Sequence, residues 1–108
     1  MADSSAILST IEEKRDQLES LCRQFSVSRL EVFGSAADGT FDPARSDIDF
    51  LVVFHRSPDI NAFHQYFDFQ EALTELLGRK VDLVEEGAMR NPYFIRSVNK
   101  SRTLIYGA

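Results

Sequence analysis

The chain has 108 residues, of which 44% are hydrophobic and 27% are charged, a balance that is typical of one folded domain and excludes a disordered segment. Its 17 acidic and 12 basic residues give a formal net charge of −5, which argues against the basic surface of a protein that binds long nucleic acid. One cysteine, Cys22, excludes an internal disulfide, and with only His55 and His64 beside it the sequence does not favour a zinc site.

Membrane and export signals are also missing from the sequence. No apolar run reaches the roughly 18–20 residues that span a bilayer. The first residues, MADSSAIL, lack the charged and apolar regions of a secretory signal. We therefore expect a cytoplasmic protein with a single domain over residues 1–108.

The first predicted element is a helix. Apolar residues recur at helical spacing from Ile7 to Phe25, with charged residues between them. Asp3, Ser4 or Ser5 could cap the start of this helix. The small cysteine at position 22 falls on the apolar side and is most simply a core residue.

Two strands and a turn follow. Residues 29–33 alternate in character and end at Gly34, which predicts a short strand. Residues 35–46 contain glycine, aspartate and proline, which predicts a turn with one helical turn at its start. Asp47–Phe54, with the sequence DIDFLVVF, is β-branched and aromatic and is mostly apolar on both faces beyond its third residue. It therefore predicts a central strand.

The second half of the chain predicts two more helices and two more strands. Asn61 caps a helix that Gly78 ends, and Asn91 caps a shorter helix whose first residue is a proline. Strands are predicted at 81–84 and, on a sheet edge, at 103–106. This alternation indicates an α+β fold, a mixed sheet with flanking helices. The predicted buried side of the longer helix carries Phe63, Tyr66, Phe67, Leu73, Leu76 and Leu77.

Three aspartates occupy positions that folding alone does not favour. Asp47 and Asp49 lie two residues apart at the start of the predicted central strand, so their side chains leave the same face, roughly 7 Å apart at the backbone. Asp82 interrupts another apolar strand, where an isolated buried carboxylate is costly. If these strands are neighbours, three carboxylates converge on one spot, and carboxylate oxygens are the ligands that Mg²⁺ prefers.

Each aspartate also has a purely structural explanation. Asp47 could end the preceding turn. Asp82 could pair with Lys80 or an arginine, or lie at a strand edge. The pair Asp47 and Asp49 directly after a turn nevertheless favours a site, because two adjacent like charges repel unless something positive lies between them.

Gly34 and Ser35 are the second candidate feature. A glycine at the end of a strand lets the backbone approach a ligand closely. Amide groups at the start of a following helical turn, with the Ser35 hydroxyl, can receive phosphate oxygens. The structural alternative is an ordinary turn that ends the strand.

One pattern joins these residues: Gly34-Ser35, an eleven-residue spacer, Asp47-Ile48-Asp49, and Asp82 on a later strand. It resembles the minimal nucleotidyltransferases of the polymerase-beta superfamily. The run FGSAADGTFDPARSDIDFLVVF is close to that of stand-alone bacterial and archaeal members, and the later elements are similar in order and length. The resemblance covers nearly the whole chain and implies a polymerase-beta-like nucleotidyltransferase fold.

The resemblance also implies a reaction. Asp47 and Asp49 would hold two Mg²⁺ ions that bridge the triphosphate of ATP, and Gly34 with Ser35 would grip its outer phosphates. Asp82 would bind the metal nearer the acceptor and help activate the attacking hydroxyl. A nucleoside monophosphate, AMP, would pass to that hydroxyl and pyrophosphate would leave.

Two features depart from the family pattern. Asp38 stands before Gly39 where many relatives carry an arginine, which puts negative charge near the expected phosphates. The spacer is one residue longer than the commonest form. Arg45 and Lys80 are candidates for compensating positive charge, although each is more simply explained as a solvated surface residue.

Three functions remain open at this point. Small stand-alone members of this family often act as the antitoxin beside a HEPN-domain toxin, which implies an MntA-like antitoxin that transfers AMP to a tyrosine of that partner. The alternative is a binding module with a weak or silent nucleotide site that neutralises its partner by occlusion. Transfer to an aminoglycoside-like small molecule is less favoured, because such enzymes usually carry a further substrate domain.

Overall fold

The computed structural model describes residues 4–38 and 47–107, which contain five α-helices, one 3₁₀ helix and four β-strands. The order confirms the predicted α+β fold. None of the helices in these two ranges is both long and apolar enough to cross a membrane. The elements are α1 Ser4–Glu13, α2 Arg15–Gln24, β1 Val27–Phe33, α3 Ser35–Asp38, β2 Ile48–Phe54, α4 Ala62–Leu77, β3 Val81–Glu85, the 3₁₀ helix Glu86–Ala88, α5 Pro92–Ser101 and β4 Thr103–Tyr106.

The four strands form one mixed sheet in the order β3-β2-β1-β4. β1 is antiparallel to both β2 and β4, whereas β2 and β3 are parallel. A parallel pair needs a long crossover connection, which α4 provides. The apolar β2 is therefore an inner strand and β4 an edge strand, as predicted.

Alternation along the strands gives the sheet two different faces. Phe50 and Val52 of β2 belong to the main core, which also contains the buried residues of α1, α2 and α4. The residues between them point to the opposite face, where Leu51 packs with Phe33 and with Val98 of α5 in a smaller cluster. The second face is the one that carries the candidate site.

The predicted single helix from Ile7 to Phe25 is wrong, because the chain breaks at Lys14 between α1 and α2. The sequence contains neither glycine nor proline near the break, so no helix-breaking residue indicated it, and the apolar periodicity continues across it. The Arg15 guanidinium donates to the carbonyl oxygen of Ile105 at 2.6 Å and ties the start of α2 to β4. Ser4 and Ser5 lie inside α1, and Asp3 lies outside the described residues.

The predicted start and end of α4 and the predicted start of α5 are confirmed. The Asn61 side chain accepts a hydrogen bond from the amide of His64 at 3.1 Å, and α4 ends at Gly78, whose φ is 67°. The Asn91 side chain accepts from two amides of the first turn of α5. These side chains satisfy backbone donors that have no partner within the helix.

The predicted buried side of α4 is wrong at two aromatic residues. Phe63 and Phe67 are 65% and 47% exposed, whereas Phe69 is fully buried. A polar residue, Gln65, takes a buried position because its amide group donates to the carbonyl oxygens of Phe25 at 2.9 Å and His55 at 3.3 Å. Because the first buried residue of α4 is a glutamine, the hydrophobic pattern alone could not identify the buried face of this helix.

Candidate functional site

The three predicted aspartates lie on one face of the sheet. Asp49 of β2 is the direct register partner of Asp82 of β3 in a parallel pair, and directly paired residues share a face. Asp47 precedes Asp49 by two residues, and alternation directs it to the same side. This face is the one opposite the main core.

Negative charge is crowded at Asp49. Burial, then the charges of Asp82 and Asp47, and then a hydrogen bond with Asp82 raise the pKa of Asp49 to about 6. Lys80 approaches Asp47 with 3.7 Å between Nζ and Oδ2, but its side chain is 76% exposed, so water screens much of this attraction. The site therefore favours either a proton or a cation among the carboxylates.

Gly34 forms the bend beside Asp49. Its φ is +71°, and a β-carbon at this position would lie 2.5 Å from Oδ2 of Asp49, closer than two such atoms can approach. The backbone conformation therefore favours glycine, and a side chain at this position would push the Asp49 carboxylate aside. The Gly34 amide donates to the hydroxyl oxygen of Ser101 at 2.9 Å, which ties the bend to the end of α5. Ser35 follows as the first residue of α3 and is partly exposed.

The donor chemistry of this face fits a hard divalent cation, because it offers carboxylate oxygens whose mutual repulsion a cation would relieve. The carboxylates do not form a finished cage. Across residues 4–38 and 47–107, no three histidine, cysteine, aspartate or glutamate side chains are gathered closely enough to hold a metal ion as they stand. An ion bound here would have to draw the side chains together.

The other predicted residues divide into three groups. Lys80 pairs with Asp47, whereas the sequence suggested Asp82 as its partner. Arg45 and most of the spacer lie outside the described residues. His55 and His64 are exposed, in keeping with surface positions.

Sequence reasoning missed the contribution of α5. Ser101 holds the Gly34 amide, Phe94 packs its ring against Phe33, and Arg102 follows the helix and binds Glu31. These contacts join residues 60 or more positions apart, so no local motif could have indicated them. The one local signal was the asparagine cap, which predicted the helix but not its place.

Comparison with known proteins places this geometry in context. Residues 14–105 match the model of a family described as a nucleotidyltransferase domain. The chain is 38% identical over 103 residues to the protein MJ0128 of Methanocaldococcus jannaschii, which is named as a candidate protein adenylyltransferase. That alignment covers 92% of this chain and 99% of the relative.

Solved structures share the fold. One, described as a candidate minimal nucleotidyltransferase, superposes with a TM-score of 0.71 at 31% identity and covers 89% of this chain and 93% of its own. Another comes from a complex of a tri-AMPylated HEPN toxin of Shewanella oneidensis with an MNT antitoxin. It has a TM-score of 0.63 and 17% identity, with 91% of this chain and 73% of that chain covered. At this low identity the second likeness concerns the fold alone.

Proposed function

Because this chain belongs to the nucleotidyltransferase family, we propose that it transfers AMP from ATP to a hydroxyl group with the help of Mg²⁺. The observation that carries the proposal is the register pairing of Asp49 with Asp82 beside the bend at Gly34. Three carboxylates on one face and a glycine that leaves room beside one of them are suited to a cation and a triphosphate. Composition alone does not explain why so much negative charge is gathered there.

Each site residue has a proposed role. Asp47 and Asp49 would hold the metal ions, and Asp82 would hold the ion nearer the acceptor and help activate its hydroxyl. Ser35 would donate its hydroxyl to an outer phosphate. Gly34 would provide the bend, since its own amide is already engaged with Ser101.

Asp47, Asp49 and Asp82 would hold two Mg²⁺ ions, which would supply positive charge to stabilise an in-line displacement. The oxygen of the acceptor hydroxyl forms a bond to the α-phosphorus, the bond to the bridging oxygen breaks, and pyrophosphate carries away the electron pair. The acceptor proton leaves to Asp82 or to solvent. The protein itself performs no covalent step, so positioning and charge supply the catalysis.

The proposed acceptor is a tyrosine of a HEPN-domain partner. Two findings support this: the 38% identical relative is named for adenylyl transfer to protein, and one similar fold comes from a complex that contains an AMPylated HEPN toxin. The alignment with this relative covers 99% of its length, so the likeness extends over nearly the whole of that protein. A partner protein would then complete the acceptor side of the site.

A second candidate is a binding module that neutralises its partner by occlusion. It is favoured by the absence, within the described residues, of a metal cage ready to accept an ion, and by the engagement of the Gly34 amide with Ser101. In that case the aspartates would be remnants of a site that no longer binds nucleotide.

Nucleotide binding separates these two candidates. We expect Mg²⁺ with ATP to raise the melting temperature of the protein, because a ligand at about 100 times its Kd stabilises by about 2.7 kcal/mol. Asp49→Asn should abolish the rise. Asp68→Asn, which removes the same charge from an exposed position on α4, should retain it. A wild-type protein that does not respond to millimolar Mg²⁺ and ATP would favour occlusion.

Transfer itself is tested by mass spectrometry of the partner. The purified chain is mixed with ATP, Mg²⁺ and a purified HEPN-domain protein from the same source. We expect one or more AMP groups on the partner, located to tyrosine by fragmentation, and none with Asp49→Asn. A partner that is inhibited without gaining mass would overturn the enzymatic mechanism.

A further inference from the structure

The aromatic side chain of Phe33 borders the three aspartates on their own face of the sheet. Phe33 is the register partner of Asp49 across the antiparallel pair of β1 and β2, so the two side chains share a face and their β-carbons lie about 5 Å apart. Phe33 is only 6% exposed and packs with Leu51 and Val98. The aspartate row, formed by Asp47, Asp49 and Asp82, therefore lies directly beside an apolar surface.

Helix α5 lays one side against this surface. Phe94, Val98 and Ser101 are separated by four and three residues, which places them on the same side of the helix. Val98 is 1% exposed, and Ser101 accepts the hydrogen bond from the Gly34 amide at 2.9 Å. The helix is thus fixed next to the bend of the candidate site.

Phe94 differs from the other members of this side of α5. Its ring packs nearly perpendicular to that of Phe33, with centroids 6.0 Å apart and planes at 82°, yet 40% of the residue stays exposed. One part of the ring is held in place and another is open. A large aromatic side chain with an open surface next to a charged site is suited to a planar ligand.

Other exposed aromatic residues do not share this position. Tyr93 is 77% exposed and precedes Phe94 on a different side of α5. Phe63 and Phe67 lie on α4, which packs on the other face of the sheet. Within the described part of the chain, Phe94 is the half-exposed ring that contacts a direct neighbour of the aspartate row.

We infer that Phe94 forms the wall of the nucleotide site against which the base of ATP stacks. This inference rests on the proposed function, since it takes the triphosphate to lie at Asp47, Asp49 and Ser35. The contact with Phe33 fixes the orientation of the Phe94 ring. The hydrogen bond between Ser101 and Gly34 fixes the distance between this ring and the bend where the phosphates would bind. Stacking uses the ring face that every base has, and purines offer the larger face.

The test compares ligands with and without a base. Isothermal titration in the presence of Mg²⁺ would measure the affinities of ATP, UTP and inorganic tripolyphosphate for the wild type, Phe94→Ala and Phe94→Trp. We expect Phe94→Ala to lower the affinity for ATP by about 10-fold or more. The affinity for UTP should fall less, and the affinity for tripolyphosphate should not change. Phe94→Trp should restore ATP binding.

Two controls make the result specific. Tyr93→Ala removes a neighbouring, more exposed ring and should leave all three affinities unchanged. Phe94→Leu keeps an apolar contact with Phe33 but has no ring, so it should fold like the wild type and still lose affinity for ATP. Melting curves without ligand would show that the variants are folded.

The outcomes distinguish this inference from the function on which it rests. If the wild type binds ATP and Phe94→Ala binds it equally well, the base wall is wrong and the proposed function stands. If Phe94→Ala weakens ATP and tripolyphosphate to the same extent, the ring supports the phosphate site and does not stack. If the wild type binds neither ligand, the proposed function itself fails.

Discussion

Gly34 shows how a single residue couples backbone conformation to the site. Its φ of +71° is one that a side chain disfavours, and the space where a β-carbon would be is filled by Oδ2 of Asp49 at 2.5 Å. Gly78 has nearly the same φ of +67°, but nothing lies within 4 Å of its missing β-carbon. Substitutions at Gly78 and Gly34 can therefore separate the energetic cost of a positive φ from the additional cost of a contact with Asp49.

Gly34→Ala should both destabilise the protein and damage the site. We expect Gly78→Ala to lower the free energy of unfolding by about 1 kcal/mol, the cost of a left-handed conformation for alanine, with no change in ATP binding. Gly34→Ala should cost more than this and abolish the ATP-dependent rise in melting temperature, because Asp49 must move. Urea unfolding and thermal shift measure the two effects. Equal behaviour of the two variants would contradict the close approach of Asp49.

At the scale of elements, α5 is held over the sheet by charge as well as by packing. Arg102, which follows the helix, donates to both carboxylate oxygens of Glu31 on β1, at 2.9 and 2.6 Å. It also binds Glu86, which in turn accepts from Arg29 at 2.5 Å. This network joins β1, the 3₁₀ helix and the end of α5, so it positions the helix that carries Phe94 and Ser101.

The network predicts a particular pH dependence of stability. The hydrogen bonds from Arg102, followed by its charge and that of Arg29, outweigh burial and lower the pKa of Glu31. A lowered pKa means that the stabilisation is complete above the ordinary value of about 4.5 and is lost as the pH falls through the folded-state pKa. We expect Glu31→Gln to cost about 2 kcal/mol at pH 7 and progressively less below pH 4.5.

Urea unfolding at several pH values measures this difference. Glu12→Gln is the matched control, because Glu12 also pairs with an arginine, Arg15, but on the surface, where such pairs contribute little. Parallel loss of stability by the wild type and Glu31→Gln down to pH 3 would show that Glu31 is not the titrating group.

At the scale of the whole molecule, the sequence indicated most of the elements and the face that carries the aspartates. Glycine and asparagine signals placed both ends of α4 and the start of α5, and composition identified β2 as an inner strand. These signals are local, so they can be seen without the fold. The burial of Gln65 and the contact between Gly34 and Ser101 depend on partners distant in the chain, and no glycine or proline marks the break at Lys14. No periodicity could have shown them.

The aspartate row also bears on the stability of the whole fold. Three carboxylates share one face, and Asp49 and Asp82 are direct neighbours across two parallel strands. In the absence of a cation their repulsion opposes folding, because the unfolded chain separates them. The packing of the two strands must therefore outweigh the electrostatic repulsion between these carboxylates.

Asp49→Asn should for this reason stabilise the protein while it removes nucleotide binding. In EDTA at pH 7.5 we expect the variant to gain about 1 kcal/mol in free energy of unfolding, measured by urea denaturation. Asp68→Asn changes the net charge equally from an exposed position on α4 and should gain much less. If both variants gained the same amount, the effect would come from the overall charge of −5. If Asp49→Asn were less stable than the wild type, Asp49 would hold the strands together, and the crowding of carboxylates would not be a cost of the site.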